Sequence, residues 1–205
     1  MTMTSKELNT FFSYLDLSEN YLEFGCGDST LYSVKRQNIK RIDSVESSEA
    51  YIDENLKIKP EVKNAITDGR LNFHIIDIGE TEMWGNPINE NKKHLWPNYS
   101  LSIFVQPCDY DLVLIDGRFR VSCALNTILN TSKNTIILFH DFWHRLEYHV
   151  ILPFVNVVNR ADSLAVFSKK EHLNMEKILS LIKKYQYLPK DITLKSRIKK
   201  KFLAK

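Results

Sequence analysis

Acidic and histidine side chains recur in this chain directly after short apolar stretches that are typical of β-strands. These side chains are Glu23, Glu46, Asp77, Asp116 and the pair His140 and Asp141. Carboxylates can hold the hydroxyl and amino groups of a polar ligand, and a histidine with an ordinary pKa of about 6.5 can accept a proton at neutral pH. In open α/β sheets, ligands bind beyond the carboxyl ends of the strands. We therefore predict that these side chains share one binding edge.

The first of these acids precedes a glycine turn, in the segment YLEFGCGDST from Tyr21 to Thr30. Gly25 and Gly27 can bend the backbone and approach a ligand without an intervening Cβ atom. Ser29 or Thr30 can cap a helix that follows. A strand, a glycine turn and a helix start together indicate a nucleotide-binding corner of a parallel sheet.

The residues around the turn indicate which kind of nucleotide it binds. The dinucleotide fingerprint has a small residue three positions after its second glycine, where this chain has Thr30. Glu23 would also place a negative charge near a pyrophosphate, which is unfavourable. A cationic ligand suits this carboxylate better.

The order of an acidic residue, one spacer and Gly-x-Gly resembles the first motif of class I S-adenosylmethionine-dependent methyltransferases. This resemblance implies that the turn, with Gly25, Gly27 and Ser29, binds S-adenosylmethionine. It also implies that Glu23 lies near the ammonium group of this cofactor.

Two later segments are assigned to the same cofactor. Glu46 stands about 20 residues after the glycines, at a strand end where a carboxylate can accept hydrogen bonds from both ribose hydroxyls. Asp77 matches the family position that accepts a hydrogen bond from the adenine amino group, and Ile78 would line the ring. The alternatives are a surface acid at a loop start for Glu46 and a simple turn for Asp77.

The segments YDLVLIDGRFR and TIILFHDFWHR narrow the resemblance. They are similar to a bacterial subgroup related to sugar and macrolide O-methyltransferases, and the similarity extends over residues 21–169. For a hydroxyl acceptor, a proton must be removed near the transition state. We expect His140 to be the base, Asp141 to orient it or to take the proton itself, and Asp116 to contact the acceptor or the cofactor.

A metal ion is the alternative explanation of the same residues. Some small-molecule O-methyltransferases bind magnesium with an acid after strand four and an Asp-Asn pair after strand five, and Asp116 and Asp141 match two of these positions. Phe142 stands in the place of the asparagine, which leaves few oxygen ligands for magnesium. His140, Asp141 and His144 could bind a softer divalent ion. We do not favour a metal.

The segment 79–109 is too long for a plain connection between two strands. It contains Trp84 and Trp96 among polar residues, and their rings could stack on a sugar or cover the adenine. They could equally anchor the segment to the body of the protein. Arg118 and Arg120 follow this segment and could bind a carboxylate or phosphate of the acceptor, or be solvated at a helix start.

The order of predicted elements supports a doubly wound, mostly parallel α/β sheet with helices on both faces. Thr4 and Glu7 resemble a capping box for a helix that precedes the first strand. Pro60 is assigned to a connection between the second and third strands. Residues 146–158 are predicted to form a helix with a kink at Pro153.

Composition indicates one cytoplasmic domain, residues 1–188, with a tail. A chain of 205 residues with 43% hydrophobic content can form one sizeable core. The three cysteines form no Cys-x-x-Cys pair, as expected of reduced thiols in the cytoplasm. We expect no secretion signal and no transmembrane segment, since no apolar run approaches the roughly 20 residues that span a bilayer.

The tail, residues 189–205, carries much of the charge. Residues 194–205 hold six basic and no acidic side chains, which leaves the rest of a chain of net charge +3 at −3. An acidic body argues against a surface that binds a nucleic-acid backbone, so we expect no nucleic-acid partner. The tail could form an amphipathic helix on the anionic inner face of the membrane or be a solvated terminus.

Together these observations predict an S-adenosylmethionine-dependent O-methyltransferase whose acceptor is a small molecule or a saccharide. Cell-surface glycan synthesis is the narrower hypothesis. The alternatives are an oxidoreductase that binds NAD or a nucleotide sugar, and a Rossmann-like protein that binds a ligand without catalysis.

Overall fold

A computed structural model describes residues 3–105 and 109–189. In this part of the chain the strands are β1 (Asn20–Phe24), β2 (Arg41–Glu46), β3 (Leu71–Ile75), β4 (Thr81–Glu82), β5 (Asn86–Pro87), β6 (Leu112–Ile115), β7 (Ile136–Phe139), β8 (Val155–Ala161) and β9 (Leu164–Lys169). Seven of them form a central sheet in the order β3-β2-β1-β6-β7-β9-β8. The five strands from β3 to β7 in this order are parallel, whereas β9 is antiparallel to both β7 and β8.

Helices cover both faces of this sheet. They are α1 (Ser5–Leu15), α2 (Asp28–Val34), α3 (Glu49–Tyr51, continued by a π-helical turn over Ile52–Leu56), α4 (Pro60–Thr67), α5 (Asn98–Leu101), α6 (Arg120–Asn130) and α7 (Met175–Tyr185). None of these helices combines the length and the apolar character needed to cross a lipid bilayer. The architecture confirms the predicted doubly wound, mostly parallel α/β fold.

Alternation along the central strands divides the core into two layers. In β6, Leu112 and Leu114 face the layer that contains α1 and α4, whereas Val113 and Ile115 face the layer that contains α6 and α7. All four residues of β6 are buried. A strand that is covered on both faces is expected to be continuously apolar, and this requirement explains the sequence LVLI.

The helix α1 begins at the predicted capping box. The Thr4 Oγ1 atom accepts a hydrogen bond from the Glu7 backbone N–H at 3.3 Å, and the Glu7 carboxylate accepts one from the Thr4 N–H at 2.7 Å. Two backbone donors at the helix start are thereby satisfied. The prediction of a helix before β1 is confirmed.

One predicted element was wrong. Residues 146–158 form no α-helix; Leu146–Phe154 makes 3₁₀ turns and Val155–Ala161 is the edge strand β8. Pro153 cannot continue an α-helix, and the β-branched valines after it favour a strand. Pro60 lies in the predicted connection between β2 and β3, and this connection also contains the unpredicted helix α4. The helix begins at Pro60, because proline at the first helical position has the required φ angle.

The segment between β3 and β6 is built from short elements. The strands β4 and β5 pair as a small antiparallel ribbon around a 3₁₀ turn at Met83–Gly85. A second 3₁₀ turn (Lys93–Leu95), α5 and a third turn (Ser102–Phe104) follow. The basic residues 194–205 lie outside the described part of the chain, so the tail and the division at residue 189 stay predictions.

Candidate active site

An open pocket of about 1180 Å³ lies beyond the carboxyl ends of the parallel strands. The order of the strands reverses between β1 and β6, and such a switch point opens a crevice between neighbouring connections. The pocket is lined by residues from five of the predicted site segments, among them Gly25, Gly27, Ser29, Glu46, Trp84, Asp116, Arg118, Arg120 and Asp141. The structure therefore brings most of the predicted residues to one edge.

The two glycines of the turn have different roles. Gly25 has a φ of +92°, and a Cβ atom there would lie 2.6 Å from the Cα atom of Gly117. Gly27 has extended backbone with a φ of 165° and is the N-cap of α2, and a Cβ atom there would approach only the Tyr51 hydroxyl, at 3.6 Å. Close approach thus requires glycine at Gly25 and its partner Gly117, whereas Gly27 leaves room in the pocket.

Glu23 lies behind the turn and is completely buried. Its carboxylate accepts hydrogen bonds from four hydroxyl groups, those of Tyr21, Ser29, Thr30 and Ser44. Burial raises the pKa of Glu23, although these hydrogen bonds oppose the shift. Glu23 is not among the residues that line the pocket. Its contacts show that it holds the turn together, and a contact with the ammonium group of a cofactor stays a prediction.

Thr30 and Ser29 act from the same turn. The hydroxyl of Thr30 accepts a hydrogen bond from the Gly27 N–H at 3.1 Å and closes the start of α2. Ser29 donates to Glu23 at 2.5 Å and also lines the pocket. The hydroxyl at the third position of the fingerprint thus makes contacts that a small apolar residue could not make.

Glu46 connects the end of β2 to the glycine turn. One carboxylate oxygen accepts a hydrogen bond from the Cys26 N–H at 3.3 Å, and the other accepts one from the Ser47 N–H at 2.6 Å. The side chain lines the pocket. The Ser47 hydroxyl and the Ser48 N–H also donate to this carboxylate, as does the Cys26 thiol. Five donors of the protein thus share its acceptor sites, and a contact between Glu46 and a ribose stays a prediction.

Asp77 and Ile78 lie away from this pocket. The Asp77 carboxylate accepts hydrogen bonds from the Lys92 ammonium group at 2.5 Å and from the Gly79 N–H at 3.0 Å, and these contacts lower its pKa. Ile78 is fully buried, and its carbonyl oxygen accepts a hydrogen bond from Trp96 Nε1 at 2.9 Å. The structure does not bring these two residues to the residues that line the pocket, so their contact with an adenine stays a prediction.

His140 does not face the pocket. It is 1% exposed, and its two ring nitrogens point at two carboxylates, Asp116 Oδ1 at 2.9 Å and Glu7 Oε2 at 3.5 Å. A base must reach the proton that it removes. The prediction that His140 is the direct base is therefore not supported by its position. Asp116, whose side chain is 29% exposed and lines the pocket, meets this geometric requirement.

Arg120 links the acids of the site. Its guanidinium group lies 3.0 Å from Asp116 Oδ1 and 3.4 Å from Asp141 Oδ2. It also donates to the backbone carbonyls of Gly117, His140 and Asp116. The side chain is 6% exposed. Arg120 is thus not solvated. Although it borders the pocket, its donors already have partners within the protein, so its contact with an acceptor stays a prediction.

Asp141 lies at the wall of the pocket in the left-handed backbone region, with a φ of 61°. It accepts hydrogen bonds from Arg120 and, at 3.1 Å, from Arg145. Two guanidinium groups thus balance the charge of this carboxylate.

The neighbours of Asp116 also decide its charge. Burial raises the pKa of Asp116, but the charge of Arg120 and the hydrogen bond from His140 outweigh burial and lower it.

The cluster of Asp116, His140 and Asp141 is a candidate metal site by the spacing of its ligand atoms. One potential ligand atom from each residue lies within 4.8 Å of the others. However, the guanidinium of Arg120 already contacts both carboxylates, and the imidazole of His140 faces Asp116 and Glu7. A divalent ion would lie against a buried positive charge, which is unfavourable. These residues do not fit a metal ion.

The two tryptophans of the insertion are in opposite environments. Trp96 is 3% exposed and packs on Phe119 with ring centroids 5.7 Å apart. Trp96 therefore anchors the segment, which is the second of the two interpretations that its sequence allowed, and its buried position does not support a contact with a substrate. Trp84 is 68% exposed, has a φ of +70° and lines the pocket. Arg118 also lines the pocket and donates a hydrogen bond to Asn86 Oδ1 at 3.0 Å.

A solved structure of a methyltransferase-like protein from Silicibacter pomeroyi DSS-3 is similar to the chain, with a TM-score of 0.78. The sequences are 26% identical, and the match covers 92% of this chain and 97% of that protein. The chain has the class I methyltransferase fold. The resemblance that the glycine turn implied is confirmed at this level.

Two further solved structures are similar in fold to this chain. One is a putative caffeoyl-CoA O-methyltransferase from Staphylococcus aureus, with a TM-score of 0.54, 13% identity and coverage of 83% of this chain and 85% of that one. The other is spermidine synthase from Thermotoga maritima, with a TM-score of 0.50, 12% identity and coverage of 97% and 72%. Such low identities show the fold alone. No protein-family model and no curated protein sequence matches the chain.

Three residues of this methyltransferase fold complete the site without having been predicted for it. Gly117 packs on Gly25, Arg145 binds Asp141, and Glu7 contacts His140. The sequence signal for Gly117 is its place directly after Asp116 at the end of a strand. Glu7 carried only the signal of a helix cap, because its contact with His140 joins two distant parts of the chain.

Proposed function

We propose that the protein is an S-adenosylmethionine-dependent methyltransferase that methylates a hydroxyl oxygen of a small molecule. The observation that carries this proposal is that one pocket is lined by the glycine turn, by Glu46 and by Asp116. The first two provide a place for the cofactor, and the third provides a carboxylate for the acceptor. The similarity to the methyltransferase-like protein supports the same reaction class.

The residues of the turn fit the cofactor for two reasons. The absence of a side chain at Gly27 leaves a cradle at the pocket, because a Cβ atom there would approach only the Tyr51 hydroxyl, whereas the glycine at Gly25 lets the turn pack on Gly117. Glu46 offers a carboxylate at the rim of this cradle for the hydroxyl groups of a ribose. When bound, S-adenosylmethionine supplies a methyl group on a sulfonium sulfur, which retains the bonding electron pair when the acceptor oxygen takes the methyl group.

The role of the chain at the acceptor is to orient a hydroxyl group and to remove its proton. Asp116 is suited to this role because its carboxylate is ionised and borders the pocket. Its Oδ1 atom contacts Arg120 and His140, and these two contacts hold the carboxylate in place. The proton of the acceptor passes to the Asp116 carboxylate in this proposal.

A saccharide is the acceptor class that we propose within this function. The exposed ring of Trp84 at the pocket supports it, because an aromatic face can cover the apolar face of a sugar. A role in cell-surface glycan synthesis, with contact of the basic tail to the membrane, rests on the sequence alone. Transfer to a phenolic metabolite but to none of the saccharides or lipid-linked glycans supplied would overturn the saccharide part.

Calorimetry tests the cofactor. S-adenosylmethionine and S-adenosylhomocysteine should bind to the full chain, and Glu46→Ala should weaken both by at least about tenfold, since a hydrogen bond to a charged group contributes about 1.5–3 kcal/mol. Glu54→Ala is the matched control, because Glu54 is exposed and lies outside the pocket lining. Binding of NAD without a response to either sulfur nucleotide would overturn the proposal in favour of an oxidoreductase.

A further inference from the structure

Glu7 is an acidic side chain that the proposed reaction does not use directly. It is only 1% exposed, and acidic side chains are seldom buried unless they are paired. Its Oε1 atom accepts hydrogen bonds from the backbone N–H groups of Ser163 at 2.9 Å and Leu164 at 3.1 Å. Its Oε2 atom accepts one from the Thr4 N–H and lies 3.5 Å from His140 Nε2. The N-terminal helix thus delivers a buried carboxylate to the back of the site.

His140 stands between this carboxylate and the pocket. Its Nδ1 atom lies 2.9 Å from Asp116 Oδ1, and its side chain is 2% exposed. The side chain of Asp116 is 29% exposed. The residues Glu7, His140 and Asp116 therefore form a line that runs from the buried face of α1 to the pocket.

We propose that Glu7 is a positioning residue for methyl transfer: together with Asp116 it holds His140 as an imidazolium, which keeps Asp116 ionised and oriented toward the acceptor. This inference rests on the proposed function. His140 acts through Asp116 and does not itself meet the acceptor.

The geometry favours the charged form of His140, because each ring nitrogen lies within ion-pair distance of a carboxylate. A neutral imidazole has one N–H and one lone pair, so one of the two carboxylates would face a lone pair. An imidazolium offers an N–H to each of them. The other charged groups near His140 are Asp141, which follows it in the chain, and Arg120, which donates to the His140 carbonyl oxygen.

The electrostatic balance agrees with this arrangement. Burial lowers the pKa of His140, but the hydrogen bond and the charge of Asp116 outweigh burial and raise it above the ordinary value. Burial raises the pKa of Glu7, but the hydrogen bonds from Ser163 and Thr4 and the charge of His140 lower it below the ordinary value. Both shifts favour the charged form of the group concerned.

The test is an NMR titration of the full chain labelled at histidine, with the His140 signal assigned by its loss in His140→Gln. In the wild type, both ring nitrogens of His140 should be protonated at neutral pH, and His140 should titrate at higher pH than an ordinary histidine. Glu7→Gln should lower the titration midpoint by about 1 pH unit, because a nearby opposite charge shifts a pKa by about 1–3 units. A neutral His140 in the wild type at neutral pH overturns the inference without any variant.

Two control variants separate charge from structure. Ser163→Ala removes a donor to Glu7 but keeps the carboxylate, so it should lower stability without moving the His140 titration. Glu61→Gln changes a partly exposed carboxylate that pairs with Lys35, and it should change neither the stability nor the His140 titration. An equal shift of the titration in Ser163→Ala and Glu7→Gln would show a purely structural role and overturn the inference.

Kinetics then connect this charge to transfer. In Glu7→Gln, kcat should fall and the alkaline limb of its pH profile should move to lower pH with the His140 titration, whereas S-adenosylhomocysteine affinity should stay unchanged because Glu7 does not line the pocket. A shifted titration with an unshifted pH profile contradicts the inference. Failure of S-adenosylhomocysteine to bind the wild type would overturn the proposed function and leave the charge state of His140 as measured.

Discussion

Gly25 and Gly117 lie backbone against backbone at the carboxyl ends of β1 and β6. A Cβ atom on Gly25 would lie 2.6 Å from the Gly117 Cα atom, and one on Gly117 would lie 2.8 Å from the Gly25 N atom. This contact brings the cofactor turn next to Asp116, the residue that precedes Gly117. The distance between the two halves of the proposed site is therefore set by two residues that have no side chains.

This contact predicts an unequal effect of two glycine substitutions. Gly69→Ala meets nothing within 4 Å but has a φ of +70°, so it should cost about 1–2 kcal/mol of stability from backbone strain. Gly25→Ala has a similar strain and also meets Gly117, so it should cost a further 1–3 kcal/mol or so. Urea unfolding of both variants measures the difference. Equal losses would contradict the close contact.

The two tryptophans of the insertion provide a second matched pair. Trp96→Ala should lower the free energy of unfolding by about 3–5 kcal/mol, because it leaves a cavity in the core. Trp84→Ala should change it by less than about 0.5 kcal/mol, as for other exposed positions, but should raise the KM for the acceptor. Chemical unfolding and steady-state kinetics measure the two effects. A loss of stability in Trp84→Ala similar to that in Trp96→Ala would count against the assignment.

Arg120 should be essential for the stability of the fold, because its guanidinium group pairs with two carboxylates. Its replacement in Arg120→Met leaves Asp116 and Asp141 without their shared cation and should cost about 3–5 kcal/mol, as for other broken buried ion pairs. Arg118→Met, at the same pocket, is the control and should be nearly neutral for stability. Transfer by the wild type should also be unchanged by EDTA, since the guanidinium contacts both carboxylates of the cluster. Inhibition by EDTA that added Mg²⁺ reverses would refute this reading of Arg120.

A buried carboxylate away from the pocket should dominate the acid sensitivity of the fold. Asp43 has no exposed side-chain surface and accepts hydrogen bonds from Arg41, His74 and Tyr110. Burial raises its pKa, but the hydrogen bonds from His74, Arg41 and Tyr110 outweigh burial and lower it. An acid with a lowered pKa stabilises the fold above the pKa of the unfolded chain, about 3.9, and this contribution is lost as the pH falls through the folded value.

The measurement is the free energy of unfolding in urea from about pH 7 down to about pH 3, a range that brackets the ordinary pKa of an aspartate. The wild type should lose stability on acidification, and Asp43→Asn should start lower and show a weaker dependence on pH. Asp53→Asn, which changes an exposed acid paired with Lys57, should follow the wild type. The same pH dependence in wild type and Asp43→Asn would assign the acid sensitivity to other groups.

Local patterns allowed much of the fold to be predicted. Apolar runs followed by acids located the five parallel strands, since strand periodicity and buried faces depend on neighbouring residues. The same reasoning failed at residues 146–158, where an apolar run is compatible with a helix and with a strand. There the pairing of β8 with β9 selected the strand, and this pairing partner is not visible in the local pattern.

The sequence by itself determined the glycine turn, the order along the chain of the strands that carry the acids, and the identity of the groups at the ends of these strands. Only the tertiary structure decided what each group faces: His140 faces Glu7 and Asp116, Trp96 enters the core, and Asp77 lies outside the pocket. The physical reason is that local backbone geometry, which depends on neighbouring residues, places a strand end at the edge of the sheet. Burial and charge pairing depend on contacts between residues that are distant in the chain, such as that between α1 and the end of β7.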